Sequence, residues 1–297
     1  MRRDITFDSK GLRCAGWLYV PDDLKKSQRA PTIVMAHGFS AVKEQNLDDY
    51  AARFVKAGFV TLVFDYRYLG ASEGEPRGQV FWYQQHEDYR NAITWVSDQP
   101  EADPDRIGIW GTSYSGAHAL YLGAYEIRVK AVVSQVHGGI NTWDALEIIL
   151  KSEGIALIRD MINQDRIARY KTGEINYLPV TAPEGEEAFM PGNEAYEWFT
   201  RADAPNWLNQ VTMESLEKFI EYDPGASIHR ISPTPLLMIL AEKDTVIRLD
   251  MAKKVYERAG EPKDLIVLPC KHFDVYYKEP YFSQAADAAI QWFKKYL

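Results

Sequence analysis

The sequence predicts an α/β protein in which a doubly wound, mostly parallel sheet is interrupted by an inserted helical lid. Several short runs are apolar on both faces, which is typical of strands buried between two layers of helices. Segments with the 3.6-residue period of amphipathic helices separate these runs along the chain. A long block in the second half of the chain contains no convincing strand, and this block is the candidate insertion.

The predicted strands alternate with helical segments in a regular order. Tyr50, Phe54 and Val55 form the apolar stripe of one such helix, and a second stripe runs from Tyr83 to Val96. Alternation of this kind implies right-handed crossovers, and ligand sites in such sheets lie at the carboxyl ends of the strands. The predicted strands are Leu12–Val20, Thr32–Ala36, Val60–Phe64, Ile107–Trp110, Val129–Val136, Thr234–Ala241 and Asp264–Leu268.

The block without strands has its own pattern. Apolar residues recur at helical spacing from Trp143 to Ile162 and from Met213 to Ile220, and Pro and Gly residues punctuate the part between them. We therefore predict a core of residues 1–136 and 232–297, with residues 137–231 inserted as a helical lid. A monomer could not leave such apolar stripes exposed, so we expect the lid to pack over the carboxyl edge of the sheet.

Composition and charge exclude several classes of protein. The 297 residues are 46% hydrophobic and 26% charged, as in ordinary globular proteins, and the net charge is −8. An acidic surface disfavours nucleic acid and anionic membranes as partners, because phosphate binding needs clustered cations. No signal-peptide core and no apolar run of membrane-spanning length is present. Cys14 and Cys270 lack metal-ligand spacing, so we expect a cytoplasmic protein without a disulfide framework.

The segment from Asp105 to His118, DRIGIWGTSYSGAH, joins an apolar strand to a helix through a turn rich in Gly and Ser. This is the setting of a nucleophile elbow, where a serine sits on a tight strand-to-helix turn with its hydroxyl exposed. Gly111 and Ser115 supply the small residues that such a turn needs around Ser113. Since Ser115 replaces the usual final glycine, a register with Ser115 as nucleophile stays open. We prefer Ser113, because Gly111 is the natural first residue of the turn.

A serine nucleophile needs a base to take its proton and a carboxylate to orient that base. In elbow hydrolases the acid and then the base follow the serine along the chain. Asp244 and His272 each come just after a predicted strand, and His272 is the only histidine downstream of Asp244. Glu242 and Asp250 are rival acids, but Glu242 is too close to its strand and Asp250 is expected to begin a helix.

The sequence also offers an oxyanion hole, a pair of amides that stabilise the charge on the reacting oxygen. His37-Gly38-Phe39 follows a predicted strand, and Gly38 lets the backbone bend so that the amide of Phe39 points at the reacting carbonyl. The amide of Tyr114, directly after the nucleophile, would be the second donor.

With these motifs the chain resembles an α/β-hydrolase superfamily enzyme over nearly its whole length. Asp65–Ser72, DYRYLGAS, is similar to the superfamily's D-x-R-G-x-G-x-S loop, with Tyr68 where glycine is common. HGFSAVKE (37–44), FDYRYLGASEGEPR (64–77) and GTSYSG (111–116) are similar to the dienelactone-hydrolase-like and X-Pro-dipeptidyl-peptidase-like branch. They also resemble fungal polyketide transferases, which act on thioesters. Dienelactone hydrolases carry a cysteine nucleophile where this chain has a serine.

These residues predict a serine hydrolase that cleaves a carboxylic ester or thioester of a small apolar substrate through an acyl-enzyme. No metal or cofactor is implied; a small-molecule substrate is the expected partner, and a homodimer stays open. An acyltransferase, a carbon–carbon bond hydrolase with the same triad, and a binding protein on a hydrolase scaffold are the alternatives. The candidate substrate-lining residues are Trp143, Tyr177, Phe189, Trp198, Trp207 and His137.

Overall fold

The computed structural model describes residues 1–138 and 142–297, and it confirms the predicted fold class. The central sheet has the strand order β1-β2-β4-β3-β5-β6-β7-β8. The first two strands pair antiparallel, β2 is antiparallel to β4, and the remaining pairs are parallel. The strands are β1 (Arg2–Ser9), β2 (Leu12–Tyr19), β3 (Ala30–Ala36), β4 (Val60–Phe64), β5 (Ala102–Thr112), β6 (Val129–Gln135), β7 (Leu236–Ala241) and β8 (Lys263–Leu268).

Helices flank this sheet, and α1 packs against α9 while α2 packs against α3. In the described residues, no helix is both long and apolar enough to cross a membrane. The helices are α1 (Leu47–Lys56), α2 (Trp82–Ser97), α3 (Tyr114–Tyr125), α4 (Thr142–Thr172), α5 (Asn193–Arg201), α6 (Met213–Ile220), α7 (Leu249–Arg258), α8 (Asp274–Tyr277) and α9 (Tyr281–Tyr296), with a 3₁₀ helix at Pro224–Arg230.

The sequence analysis missed strand β1. It forms a hairpin with β2 through Lys10 and Gly11, whose φ angles are 56° and 84°. Positive φ at both central residues gives the turn the twist that a two-residue hairpin needs. Phe7 and Ser9 are buried while their neighbours are exposed, so the alternation of a strand is present but covers few residues.

Between β6 and β7 the chain leaves the central sheet, and we call this segment the insertion (residues 137–231, of which 139–141 lie outside the described residues). It contains α4, α5 and α6 and two small pairs of strands. Tyr177–Leu178 pairs with Val211–Thr212, and Thr181–Ala182 pairs with Met190–Pro191. These short pairs have no periodicity that a sequence pattern could reveal. That the insertion is a separate lid domain stays a prediction.

One expectation about the insertion is wrong: the apolar stripe of α4 is not fully covered. Ile148, Ile149 and Leu157 are 52%, 57% and 61% exposed. The helix is interrupted at Lys151, which has φ 56° and ψ −174°, and ion pairs from Arg169 to α6 hold only its later turns. The first part of α4 therefore leaves much of its apolar surface in solvent.

A buried polar cluster ties the insertion to α2 and α3. The hydroxyl of Tyr222, just after α6, lies 2.8 Å from His86 Nε2 and 2.9 Å from His118 Nδ1. His118 Nε2 donates to Gln85 Oε1 at 2.8 Å, so His118 Nδ1 is the acceptor in the neutral ring. Burial lowers the pKa of His86 well below its usual value and that of His118 to about 3. Both imidazoles are therefore neutral at pH 7.

These histidines should make the fold sensitive to acid. Below the reference pKa of about 6.5 the unfolded chain binds protons that buried, neutral His86 and His118 do not bind, so the free energy of unfolding falls as pH falls. The expected loss is about 1.4 kcal/mol per histidine and pH unit until the folded-state pKa is reached. Urea unfolding of the protein at pH 7, 6 and 5 measures this slope.

In the same experiment, His118→Gln should lower the stability at pH 7 but give a shallower dependence on pH. His229→Gln is the matched control, because His229 is exposed. Parallel pH dependences for the protein and His118→Gln would contradict the assignment of the acid sensitivity to this cluster.

Candidate active site

Ser113 lies at the apex of the turn between β5 and α3. Its backbone has φ 53° and ψ −121°, a conformation that costs energy for any residue with a side chain. Three main-chain hydrogen bonds hold it there. Its N–H donates to the carbonyl of Gln135 at 2.9 Å, and its own carbonyl accepts from the amides of Gly138 at 2.8 Å and Ala117 at 3.2 Å. Ser113 is thus fixed against the end of the adjacent strand β6.

The glycines around Ser113 are required by backbone contacts. A methyl group at Gly111 would lie 2.0 Å from the carbonyl oxygen of Ser115, and one at Gly116 would lie 2.8 Å from that of Gln135. Since real Cβ atoms do not approach backbone oxygens this closely, only glycine fits at these two positions. The segment has the close packing that a nucleophile elbow needs.

The alternative nucleophile, Ser115, is placed differently from Ser113. Ser115 is fully buried and its Oγ lies 2.8 Å from the hydroxyl of Tyr66. The Oγ of Ser113, in contrast, lies 3.2 Å from Nε2 of His272. The structure therefore places a histidine beside the hydroxyl of Ser113, whereas the hydroxyl of Ser115 is buried against Tyr66.

His272 and Asp244 meet at the carboxyl edge of the sheet, after β8 and β7 respectively. Nδ1 of His272 lies 2.8 Å from Oδ2 of Asp244, and their side chains are 1% and 3% exposed. The other carboxylate oxygen accepts from the amides of Val246 at 2.8 Å and Ile247 at 2.7 Å. Because a carboxylate accepts the Nδ1 proton, Nε2 is left as the acceptor facing Ser113. Glu242, the rival acid, is exposed.

The loop after β3 touches the elbow directly. A methyl group at Gly38 would lie 2.9 Å from Cβ of Ser113, so a larger residue would push the loop away. Within the described residues, the amide of Phe39 donates to no acceptor. Tyr114 is the first residue of α3, where helix amides have no intrahelical partner and favour negative charge. Both predicted oxyanion amides therefore lie beside Ser113 and are available to an anion.

The buried carboxylate of Asp65 holds this loop in position. Its carboxylate accepts from Nζ of Lys43 at 2.7 Å, from the amide of Lys43 at 2.8 Å and from the amide of Ala71 at 3.0 Å. Burial lowers the pKa of Lys43, but the charges and hydrogen bonds of Asp65 and Glu44 together raise it by more, so the net shift is upward and the ammonium stays charged. The D-x-R loop thus holds in place the loop after β3 that carries Gly38 and Phe39, which we call the oxyanion loop. The motif alone did not reveal this role.

Comparison with known proteins agrees with this geometry. Residues 10–274 match the family model described as X-Pro dipeptidyl-peptidase (S15 family). The chain belongs to this family. It is 35% identical over 249 residues to the quorum-quenching protein AidA of Acinetobacter baumannii, covering 82% of this chain and 79% of that protein. It is 32% identical over 267 residues to the thiohydrolase aneE of Aspergillus aculeatus, covering 85% and 80%.

A solved structure extends the comparison to the whole fold. The α/β hydrolase GrgF from Penicillium sp. sh18 superposes with a TM-score of 0.84 at 26% identity, covering 100% of this chain and 99% of that chain. A curated relative of the same name is called a polyketide transferase. This S15-family chain is therefore an α/β-hydrolase superfamily enzyme with a serine-hydrolase-like or acyltransferase activity.

In this S15-family chain, the space at Ser113 is small and mostly apolar. The cavity there holds about 10 Å³, about the volume that one water molecule needs. Trp198 is the one predicted substrate-lining residue on its wall. Gly38, Phe39, Ser113 and His272 were also named from the sequence. Phe273 and Tyr276 were not predicted, although they follow His272 closely, and Met190 and Phe199 could not be, because they come from distant segments. The lining residues are Gly38, Phe39, Ala41, Ser113, Met190, Trp198, Phe199, His272, Phe273 and Tyr276.

The other predicted substrate-lining residues lie elsewhere. Phe189 stacks on Phe39 with ring centroids 4.0 Å apart, and Trp207 donates to the carbonyl of Ser40 at 3.0 Å. Trp143 donates to Glu147 within α4, and Tyr177 is 40% exposed. Neither of these last two lines the cavity at Ser113.

His137, the last of the predicted substrate-lining residues, is fully buried. It lines a second cavity beside the elbow.

We predict that Gly38→Ala will lower kcat by roughly 10²-fold, the usual cost of losing one oxyanion donor. The added methyl must displace Ser113 or the loop that carries the Phe39 amide, because its Cβ would lie 2.9 Å from that of Ser113. Steady-state kinetics on an activated ester measures the effect. Gly11→Ala is the control, since its φ of 84° makes alanine destabilising while nothing lies within 4 Å. An unchanged kcat in Gly38→Ala would contradict the placement of the oxyanion hole beside Gly38.

Proposed function

We propose that this protein is a serine hydrolase that cleaves a carboxylic ester or thioester through an acyl-enzyme. The observation that carries the proposal is the hydrogen-bonded chain from Ser113 through His272 to Asp244, with distances of 3.2 Å and 2.8 Å. A serine, a histidine and a carboxylate in this geometry form the arrangement that activates a hydroxyl for attack on a carbonyl.

Each group then has one task in the proposed reaction. Ser113 Oγ attacks the carbonyl carbon while Nε2 of His272 takes its proton, and Asp244 stabilises the imidazolium that forms. The amides of Phe39 and Tyr114 hold the oxyanion. His272 gives its proton to the leaving alcohol or thiol, and the acyl group stays on Ser113. Water, deprotonated by His272, then releases the acid and restores the serine.

The walls of the site favour an ester or thioester over a peptide. A dipeptidyl-peptidase must bind a free, charged amino terminus, and burying an ammonium without a charged partner is costly. Of the described residues that line the cavity at Ser113, none bears a carboxylate, and most are aromatic or aliphatic. The relatives named thiohydrolase and polyketide transferase support the same preference.

Acyl transfer is the second candidate function, and the small volume of the cavity at Ser113 favours it. Trp198 and Phe199 from the insertion cover Ser113 together with Phe273, and little room for water remains. An acyl-enzyme protected from water has time to react with an alcohol or amine that fits the site. Adding nucleophiles to the assay and analysing the products distinguishes transfer from hydrolysis.

The nucleophile can be tested by labelling. A fluorophosphonate should add once to the protein, on the peptide that contains Ser113, because among the described serines this is the one whose hydroxyl lies within hydrogen-bond distance of a histidine. Intact-mass and peptide mass spectrometry locate the adduct. Ser113→Ala should lose both labelling and turnover, whereas Ser115→Ala is the matched control and should keep both. Labelling of Ser115, or of no serine, would refute the proposed nucleophile.

The substrate class can be tested with a series of acyl chain lengths. If an apolar pocket receives the acyl chain, each added methylene should contribute about 0.8 kcal/mol to transition-state binding until the pocket is full. The values of kcat/KM for p-nitrophenyl esters and for acyl thioesters should therefore rise from acetyl to medium chains. A maximum at acetyl, or faster cleavage of X-Pro peptide amides than of esters, would contradict the proposal.

A further inference from the structure

A second cavity, of about 100 Å³, lies beside the elbow between the start of α4, α6 and the loop that follows Asp244. On the scale on which one water molecule needs about 10–15 Å³, this is room for a chain of several non-hydrogen atoms. Most of its wall is apolar and consists of Leu146, Ile149, Phe219, Val246, Ile247 and Met251. Apolar walls with a few polar groups are the usual composition of a small-molecule site.

Two polar side chains on this wall have no hydrogen-bond partner among residues 1–138 and 142–297. His137 is fully buried, and neither of its ring nitrogens has a hydrogen-bond partner in another described residue. Thr142 is 6% exposed and its Oγ1 is unpaired. Buried polar groups are nearly always satisfied, because leaving them unpaired destabilises the fold. A ligand or ordered water in the cavity would supply the missing partner of both groups.

The cavity is adjacent to the reacting centre through Gly138. A methyl group on Gly138 would lie 3.6 Å from the amide nitrogen of Tyr114 and 3.7 Å from the carbonyl carbon of Ser113. On its other side it would lie 3.0 Å from Cδ1 of Ile247, which lines the cavity. Gly138 thus lies next to both the elbow that carries the proposed oxyanion hole and the wall of the cavity.

We propose that this cavity receives the acyl chain of the substrate, and that His137 and Thr142 hydrogen-bond an oxo or hydroxyl oxygen carried on that chain. The proposal rests on the proposed function, because it takes the acyl group to be attached to Ser113. The cavity then selects chains that bear an oxygen over plain hydrocarbon chains of the same length.

The charge state of His137 fits a neutral oxygen function. Burial lowers its pKa to about 4, although the charge of Asp244 acts in the opposite direction, so the ring is neutral at pH 7. A neutral imidazole offers one N–H donor and one acceptor, and the Thr142 hydroxyl offers both roles. These groups suit a ketone or an alcohol. Arg248, the charged side chain among the described residues of the wall, is already paired with Asp250 at 3.1 Å, so a carboxylate on the chain would compete with that pair.

The test uses thioesters of N-acetylcysteamine that all carry a six-carbon acyl chain. Plain hexanoyl is compared with chains that bear an oxo or a hydroxyl group at carbon 3, 4 or 5. At least one oxygenated substrate should exceed hexanoyl by about tenfold or more in kcat/KM, because a missing hydrogen bond leaves buried groups unpaired. His137→Leu and the isosteric Thr142→Val should each lower kcat/KM much more for the preferred oxygenated thioester than for hexanoyl, so that the preference is lost. Thr94→Val, at an exposed position, is the matched control.

Calorimetry on Ser113→Ala separates this proposal from the proposed chemistry. The preferred oxygenated thioester should bind this variant more tightly than hexanoyl does, and Thr142→Val in the same background should abolish the difference. If no thioester is turned over but the binding preference is found, the chemistry fails and the cavity assignment stands. Equal binding of both thioesters, or equal losses for both in each variant, would overturn the assignment.

Discussion

The site depends on one constraint, the positive φ of Ser113 between β5 and α3. Such a conformation costs on the order of 1–3 kcal/mol and persists only where the surroundings over-determine it. Here the carbonyl of Gln135 and the amide of Gly138, at the end of β6, hold the serine from both sides. Because the turn is fixed, the hydroxyl of Ser113 faces His272 and the first amide of α3 faces the reacting centre. The parallel pairing of β5 with β6 thus positions the proposed nucleophile.

Buried charges extend this control to the loops around the serine. Lys43 and Asp65 join the oxyanion loop to the D-x-R loop, and Arg67 pairs with Asp88 of α2 at 2.6 Å. Buried ion pairs contribute little to stability compared with well-packed apolar residues, but breaking one leaves an uncompensated charge. Alternative arrangements of these loops would each separate a buried pair. The pairs therefore serve to specify one loop geometry beside the elbow.

The sequence predicted those candidate site residues that directly follow a strand. Asp244 and His272 could be named because each follows an apolar strand, and parallel strands bring their carboxyl ends to one edge. The lining of the cavity could not be predicted, because Met190 and Phe199 reach Ser113 through two-residue strands and long-range packing. Periodicity likewise marked the apolar face of α4 but carried no information on what covers it. For Trp143 and Tyr177, aromatic character alone was therefore no guide to position.

The insertion does more than cover the site, because its rings touch both residues of the proposed oxyanion hole. Phe189 stacks on Phe39, and Phe219 lies edge-on to Phe39 at 5.3 Å and tilted against Tyr114 at 5.4 Å. Aromatic pairs in these geometries add stabilisation beyond the area they bury. A substrate that displaces Phe189 or Phe219 on entry would disturb the backbone that carries the two amides. The same aromatic contacts therefore hold the insertion against the site and support the backbone of the proposed oxyanion hole.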